Sequence, residues 1–243
     1  MTTTSDQTPK TATTKPIPPT EEPSQYRAIG LVKGKYVPRD KITQGILLTA
    51  DGTIIEAVIL GKLLGLLKSV KAGIDLNKEH LWVVYPRTKD EEPKLHVQMC
   101  GIWEPETLHP DKPAPILEQE PDYFSVQGEV IFQSQEENWV VVKILQKPRS
   151  EGEKQKSFKL KLFGSLPEKA VKNFWKLDVQ RQGNSLTISD SERVAYLGEK
   201  KPKKKPTKKK PRRGGNAKQH PVEAAASPKE SPKLKKKQTV EPN

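Results

Sequence analysis

The sequence has a single cysteine, Cys100, so no disulfide can form within the chain and a reducing compartment is expected. It has no run of about 18 apolar residues, the minimum for a hydrophobic helix that crosses a bilayer, so no integral membrane segment is expected. Its four histidines, His80, His96, His109 and His220, are scattered with no H-x₃₋₅-H pair. A zinc site needs such ligands grouped, so no metal is expected. There is no G-x-x-x-x-G-K-[ST] loop to cradle phosphates and no G-x-G-x-x-G turn. Acidic pairs such as Glu91-Glu92 and Glu136-Glu137 fall in polar stretches between strands, where solvated charge is the ordinary outcome. Cys100 stands in the apolar run VQMCGIW, where a free cysteine behaves as a small hydrophobe. These absences leave no catalytic constellation, no cofactor and no small-molecule substrate. The opening residues, MTTTSDQTPKTATTKPIPP, carry no apolar core of the secretory kind. A soluble, cytoplasmic, non-enzymatic protein is expected.

What is present is charge at one end. The formal net charge is +13, and residues 200–243 alone hold 16 Lys and Arg against three acids. The whole excess sits there, and residues 1–199 balance. The densest part, Lys201, Lys203, Lys204, Lys205, Lys208, Lys209, Lys210, Arg212 and Arg213, places nine positive charges in 13 residues. Lys233, Lys235, Lys236 and Lys237 form a second cluster. Prolines between the lysines forbid helix continuation and like charges repel, so this segment is expected to be a disordered, extended tail. Residues 1–25 are rich in Thr, Pro, Lys and Glu, with Ile17 almost the only large apolar side chain, and are expected to be disordered as well.

Between the tails the pattern is strand-like and repeats. YRAIGLVKGKYVP reads as a strand with glycines at Gly30 and Gly34. GILLTADGTIIEAVI reads as two strands about an Asp51-Gly52 turn. Leu60, Leu63, Leu64 and Leu67 then fall on one helical face, and HLWVVYPRT and KLHVQMCGIWEP follow as strands. His109–Pro121 has four prolines and reads as a linker. Beyond it DYFSVQGEVIFQS, NWVVVKILQK and KSFKLKLFG predict three strands. SLPEKAVKNFWKL predicts a helix with Ser165 as N-cap, and DVQRQGNSLTISD predicts two final strands. The order β-β-β-α-β-β thus occurs twice. It is the order of the OB-fold, a five-stranded Greek-key barrel, although other small barrels give a similar string. The expected architecture is mainly β: two tandem small OB-like barrels, residues 26–108 and 122–199, with a linker at 109–121 and tails at 1–25 and 200–243.

The segments YRAIGLVKGKYVP, HLWVVYPRT, GIWEPETL, FSVQGEVIFQS and FWKLDVQRQG resemble those of a family of uncharacterised cyanobacterial proteins. The resemblance covers the body and implies a cytosolic protein of a photosynthetic bacterium; it transfers no functional residue. The tail resembles the basic extensions of linker histones and ribosomal proteins in composition only.

Strand alternation supplies a candidate interface. If the all-apolar sides of NWVVVKILQK and SFKLKLF face the core, Trp139, Lys143, Lys159 and Lys161 share an outer face. OB-folds hold single strands on that face by aromatic stacking and lysine–phosphate contacts. Arg181, Arg87 and Lys89, near the last hairpin of each unit, are expected to flank such grooves. The tail lysines are expected to give sequence-blind electrostatic affinity through counterion release. The expected partner is nucleic acid, RNA favoured slightly over DNA. The alternative is an adaptor whose neutral barrels grip another protein while the tail localises it to nucleoid, ribosome or an anionic membrane surface.

Overall fold

The computed structural model describes residues 15–69, 73–88, 94–108, 111, 117–148, 150–167 and 169–198. No helix among them is long and apolar enough to cross a membrane. Alternating apolar residues generate ten strands. The first five are β1 (Arg27–Pro38), β2 (Gln44–Thr49), β3 (Ile54–Ile59), β4 (Glu79–Thr88) and β5 (Leu95–Trp103). The second five are β6 (Tyr123–Ser134), β7 (Trp139–Leu145), β8 (Ser157–Phe163), β9 (Asn173–Gln182) and β10 (Ser185–Tyr196). Two short helices, α1 (Gly61–Lys68) and α2 (Pro105–Leu108), belong to the first half.

The pairing order closes twice. β1-β2-β3-β5-β4 returns to β1, and β6-β7-β8-β10-β9 returns to β6, each with the antiparallel and single parallel pairings of an OB barrel. The two barrels are also one sheet, because the first residues of β1 pair with β6 from Arg27↔Gln127 to Gly30↔Phe124. The Thr88 hydroxyl of β4 accepts the Lys161 amide of β8, and the Leu95 amide donates to the Asn184 carbonyl. The tandem units are therefore joined strand to strand.

In the first barrel α1 lies where the leucine spacing placed it. Leu63 is buried and the Leu60 amide donates to the Met99 carbonyl, so the helix closes one barrel end. The helix predicted in the second barrel does not form. Residues 165–167 and 169–172 are loop and turn, and Phe174 and Trp175 already belong to β9. Lys169 and Lys172 take left-handed backbone angles that interrupt any helix. The Asn173 amide donates to the Lys169 carbonyl and the Trp175 indole to the Ala170 carbonyl, so side chains tie the loop down instead. Leu166 and Ala170 are buried there. The second barrel is a plain β-β-β-β-β unit.

Residues 15–25, expected to belong to the disordered N-terminal segment, are mostly exposed but are anchored on the body by Ile17. Ile17 is 1% exposed against Leu31 and Leu81, and its amide and carbonyl both bond the Gln119 side chain. The expected linker is described only in part, and its Leu117 packs against the same cluster.

Two positions make the packing testable. A Cβ on Gly128 would come within 2.6 Å of the Lys143 carbonyl oxygen, backbone that cannot move aside. Gly128→Val is expected to cost about 1–3 kcal/mol or more in urea unfolding. The Tyr123 hydroxyl donates to Asp178 at 2.7 Å, and burial, reinforced by that carboxylate, pushes its pKa up to about 12. The protonated phenol is thus favoured by folding. Its contribution is fully present below about pH 10 and is lost as the pH rises towards 12. Urea midpoints measured across that window should fall, and Tyr123→Phe should flatten the fall.

Candidate nucleic-acid interface

β7 and β8 pair antiparallel with Trp139 opposite Phe163, Val141 opposite Lys161, Lys143 opposite Lys159 and Leu145 opposite Ser157. Val140, Val142, Ile144, Leu160 and Leu162 are buried in the core, so the other parity faces outward as the alternation requires. The Lys161 ammonium sits 4.1 Å from the Trp139 ring centre and 5.2 Å from that of Phe163. Phe132, 47% exposed, stacks on Trp139 with ring centres 4.8 Å apart and planes tilted by 31°. The Trp139 indole donates to Glu137, which fixes the ring. Lys143 lies 3.9 Å from Glu129, while Lys159 is exposed.

The result is an aromatic surface of Phe132, Trp139 and Phe163 with lysines along one side. The four residues expected on this face, Trp139, Lys143, Lys159 and Lys161, are all brought together. Phe163 was readable from its parity with Lys161. Phe132 was not: β6 is bulged between Val130 and Phe132, and the extra residue turns Phe132 outward.

The arginines behave differently. Arg181 does not flank a groove. Its side chain is 3% exposed, and its Nε and Nη2 donate to the two Asp122 carboxylate oxygens at 2.6 and 2.9 Å. Its Nη1 donates to Asp51 at 3.1 Å and to the Gly183 carbonyl at 2.9 Å. The guanidinium is committed within the protein and bolts β9 to the β2–β3 turn of the first barrel. The Thr49 hydroxyl, with Thr53 and Arg181 adding to it, holds the Asp51 carboxyl below the usual carboxylate range. Arg87 lies with its guanidinium carbon 3.7 Å from the Phe158 ring centre, at the junction of the barrels. Lys89 and the tail residues from Lys201 to Lys237 lie outside the described residues. Cys100 is half-buried, its thiol donates to the Val83 carbonyl, and burial pushes its pKa up, so it carries no thiolate character.

The matching face of the first barrel has another chemistry. Leu48, Ile54, Val58 and Val37 are 40, 56, 39 and 37% exposed on β2, β3 and β1; Lys35 of β1 stands opposite Leu48, but β2 and β3 themselves carry neither lysine nor aromatic ring. Only the second barrel presents rings and cations together on strands two and three.

A closed five-stranded barrel in this strand order is an OB-fold, and rings with lysines on strands two and three are the residue types with which such folds can hold nucleic acid. Comparison with known families agrees. Residues 28–110 match the model of the PatR RNA-binding protein, N-terminal OB-fold domain. Residues 126–195 match that of the cyanobacterial OB-fold-like RNA-binding domain, C-terminal. The body is thus a pair of OB-fold domains that match RNA-binding domain models, and the chain is a nucleic-acid-binding protein with RNA the favoured ligand. No curated protein matches the chain.

Proposed function

We propose that the chain binds single-stranded RNA on the outer face of β7 and β8, with bases stacking on Trp139, Phe163 and Phe132 and phosphates meeting Lys143, Lys159 and Lys161. The observation that carries this reading is Lys161 held 4.1 Å from the exposed-edge ring of Trp139, a stacking surface and a cation in one place. The Lys/Arg-rich segment from Lys201 onward adds sequence-blind attraction for polyanions, and any selectivity comes from the barrels. No catalytic step is proposed, and the site of action is the cytoplasm.

Anisotropy of labelled single-stranded RNA, single-stranded DNA and duplex DNA tests this with the full chain and with the chain ending at Glu199. The full chain should bind all three at low salt. Removing the tail should flatten the slope of log K against log salt, by about 4 if about six contacts to a single strand are lost. The shortened chain should keep its preference for single-stranded RNA. Failure of the full chain to bind any of the three at low salt would end the proposal.

The apolar stripe on β2 and β3 favours a second role, contact with a protein partner by the first barrel. Partners that survive nuclease digestion in a pulldown, and that are lost on Ile54→Lys, would support it.

A further inference from the structure

A cleft of about 750 Å³ opens between the two barrels. Arg27 and Ile29 of β1 and Tyr85 and Arg87 of β4 wall one side, and Lys147 and Phe158 the other. Its cations are poorly matched. The one hydrogen bond of Arg87 among the described residues goes to the neighbouring Pro86 carbonyl, and its guanidinium is stacked on Phe158. Arg27 donates from Nη1 to the Pro18 carbonyl, while its Nε is buried with no partner. Neither forms an ion pair with a described carboxylate, and Glu21 is the single acid in the lining. Partial burial lowers the pKa of both guanidiniums, an effect that Tyr123 and the Asp178 carboxylate offset only in part at Arg27 and that meets no carboxylate at Arg87 among the described residues.

Each guanidinium carries five donors in a planar fork, of which one at Arg27 and one at Arg87 bond the described protein. A phosphate supplies the missing acceptors in the geometry such a fork prefers. Tyr85 and Phe158 add ring surface to receive a base. The volume lies in the range of about 300–1,000 Å³ that encloses a small ligand. The cleft also adjoins the face already described, at the end of β7 and the start of β8. β7 runs from Trp139 to Leu145, about 20 Å at a strand's rise per residue, and Leu145 itself lines the cleft. Lys143 and Lys159 stand as a cross-strand pair between the two ends.

We propose that this inter-barrel cleft is a second subsite for the same single-stranded RNA, in which Arg27, Arg87 and Lys147 hold phosphate and Tyr85 and Phe158 receive a base. It rests on the reading of the β7–β8 face as the RNA track and extends that track onto the first barrel.

Photocrosslinking of the full chain to 5-iodouridine-substituted RNA, with the labelled residues mapped by mass spectrometry, locates the strand without any mutation. Iodouridine couples to aromatic side chains, and residues 201–243 contain no Phe, Trp or Tyr, so a labelled Phe, Trp or Tyr reports on the body. Oligonucleotides of about four and about twelve residues bracket OB-fold site sizes. The short one should label Trp139 or Phe163, and the long one should also label Tyr85 or Phe158. Lys147→Glu, an exposed change at the rim, should weaken the long oligonucleotide about tenfold and leave the short one unchanged. A long oligonucleotide that labels Trp139 and never Tyr85 or Phe158 overturns the cleft and leaves the face standing. Label in the cleft with none on Trp139, Phe163 or Phe132 overturns the face and, with it, the cleft as an extension of that track. Label on neither overturns both.

Discussion

Trp139→Ala in the chain ending at Glu199 is expected to weaken single-stranded RNA binding by about 5- to 150-fold. That range corresponds to the roughly 1–3 kcal/mol which one base–aromatic stack contributes. Trp139 is the centre of the surface: Phe132 stacks on it, Phe163 lies opposite it across the strand pair, and Lys161 is held beside it. Removing it takes a stacking partner and also frees Lys161 from its fixed position. The side chain is partly exposed at the start of β7 and the core parity of that strand is untouched, so the fold should survive. Trp139→Phe keeps a ring and should recover most of the affinity. In the full chain at low salt the same substitution should produce a smaller change, because sequence-blind contacts from the tail remain. Anisotropy titrations, with circular dichroism to confirm the fold, read all three. An unchanged affinity for Trp139→Ala in the shortened chain would remove the stacking surface from the account.

Arg181→Ala is expected to lower stability by about 3 kcal/mol. Stranding one member of a buried ion pair costs roughly 3–5 kcal/mol, and the lower end applies because Asp122 and Asp51 keep 26 and 47% side-chain exposure. The loss falls on the junction. Arg181 ties β9 to the residue that leads into β6 and to the β2–β3 turn of the first barrel, through partners 59 and 130 positions away. Arg181→Lys keeps the charge but cannot reproduce the bidentate fork, so it should recover only part of the loss. Asp51→Asn should cost much less than Arg181→Ala, since Asp122 continues to satisfy the guanidinium. Urea unfolding measures each. If Arg181→Ala reduced RNA affinity and left the urea midpoint in place, the residue would be the groove-flanking contact that its position in the sequence suggested.

Local patterns carried most of the fold. Alternation in β7 and β8 fixes which side is core, and that alone places Trp139, Lys143, Lys159 and Lys161 on one face. The doubled element order reflects two real barrels. What was not legible depends on contacts that sequence spacing does not encode. Ala170, Val171, Phe174 and Trp175 fit a helical face as well as a loop running into a strand. The left-handed residues Lys169 and Lys172 and the Asn173 side chain decide for the loop. Phe132 is turned outward by a bulge. Arg181 looked like a free surface cation because Asp51 and Asp122 are remote in sequence. Ile17 looked like part of an unstructured end because Gln119, which clasps it, lies 102 residues on.

Amide chemical shifts of the isotopically labelled full chain, followed while single-stranded RNA is added, locate the binding surface residue by residue. The largest changes should fall at Trp139, Lys143, Lys159, Lys161 and Phe163, with Leu48 and Ile54 on the first barrel left in place. Changes confined to residues 200–243, or centred on β2 and β3 with β7 and β8 unmoved, would contradict an RNA-binding face on the second barrel.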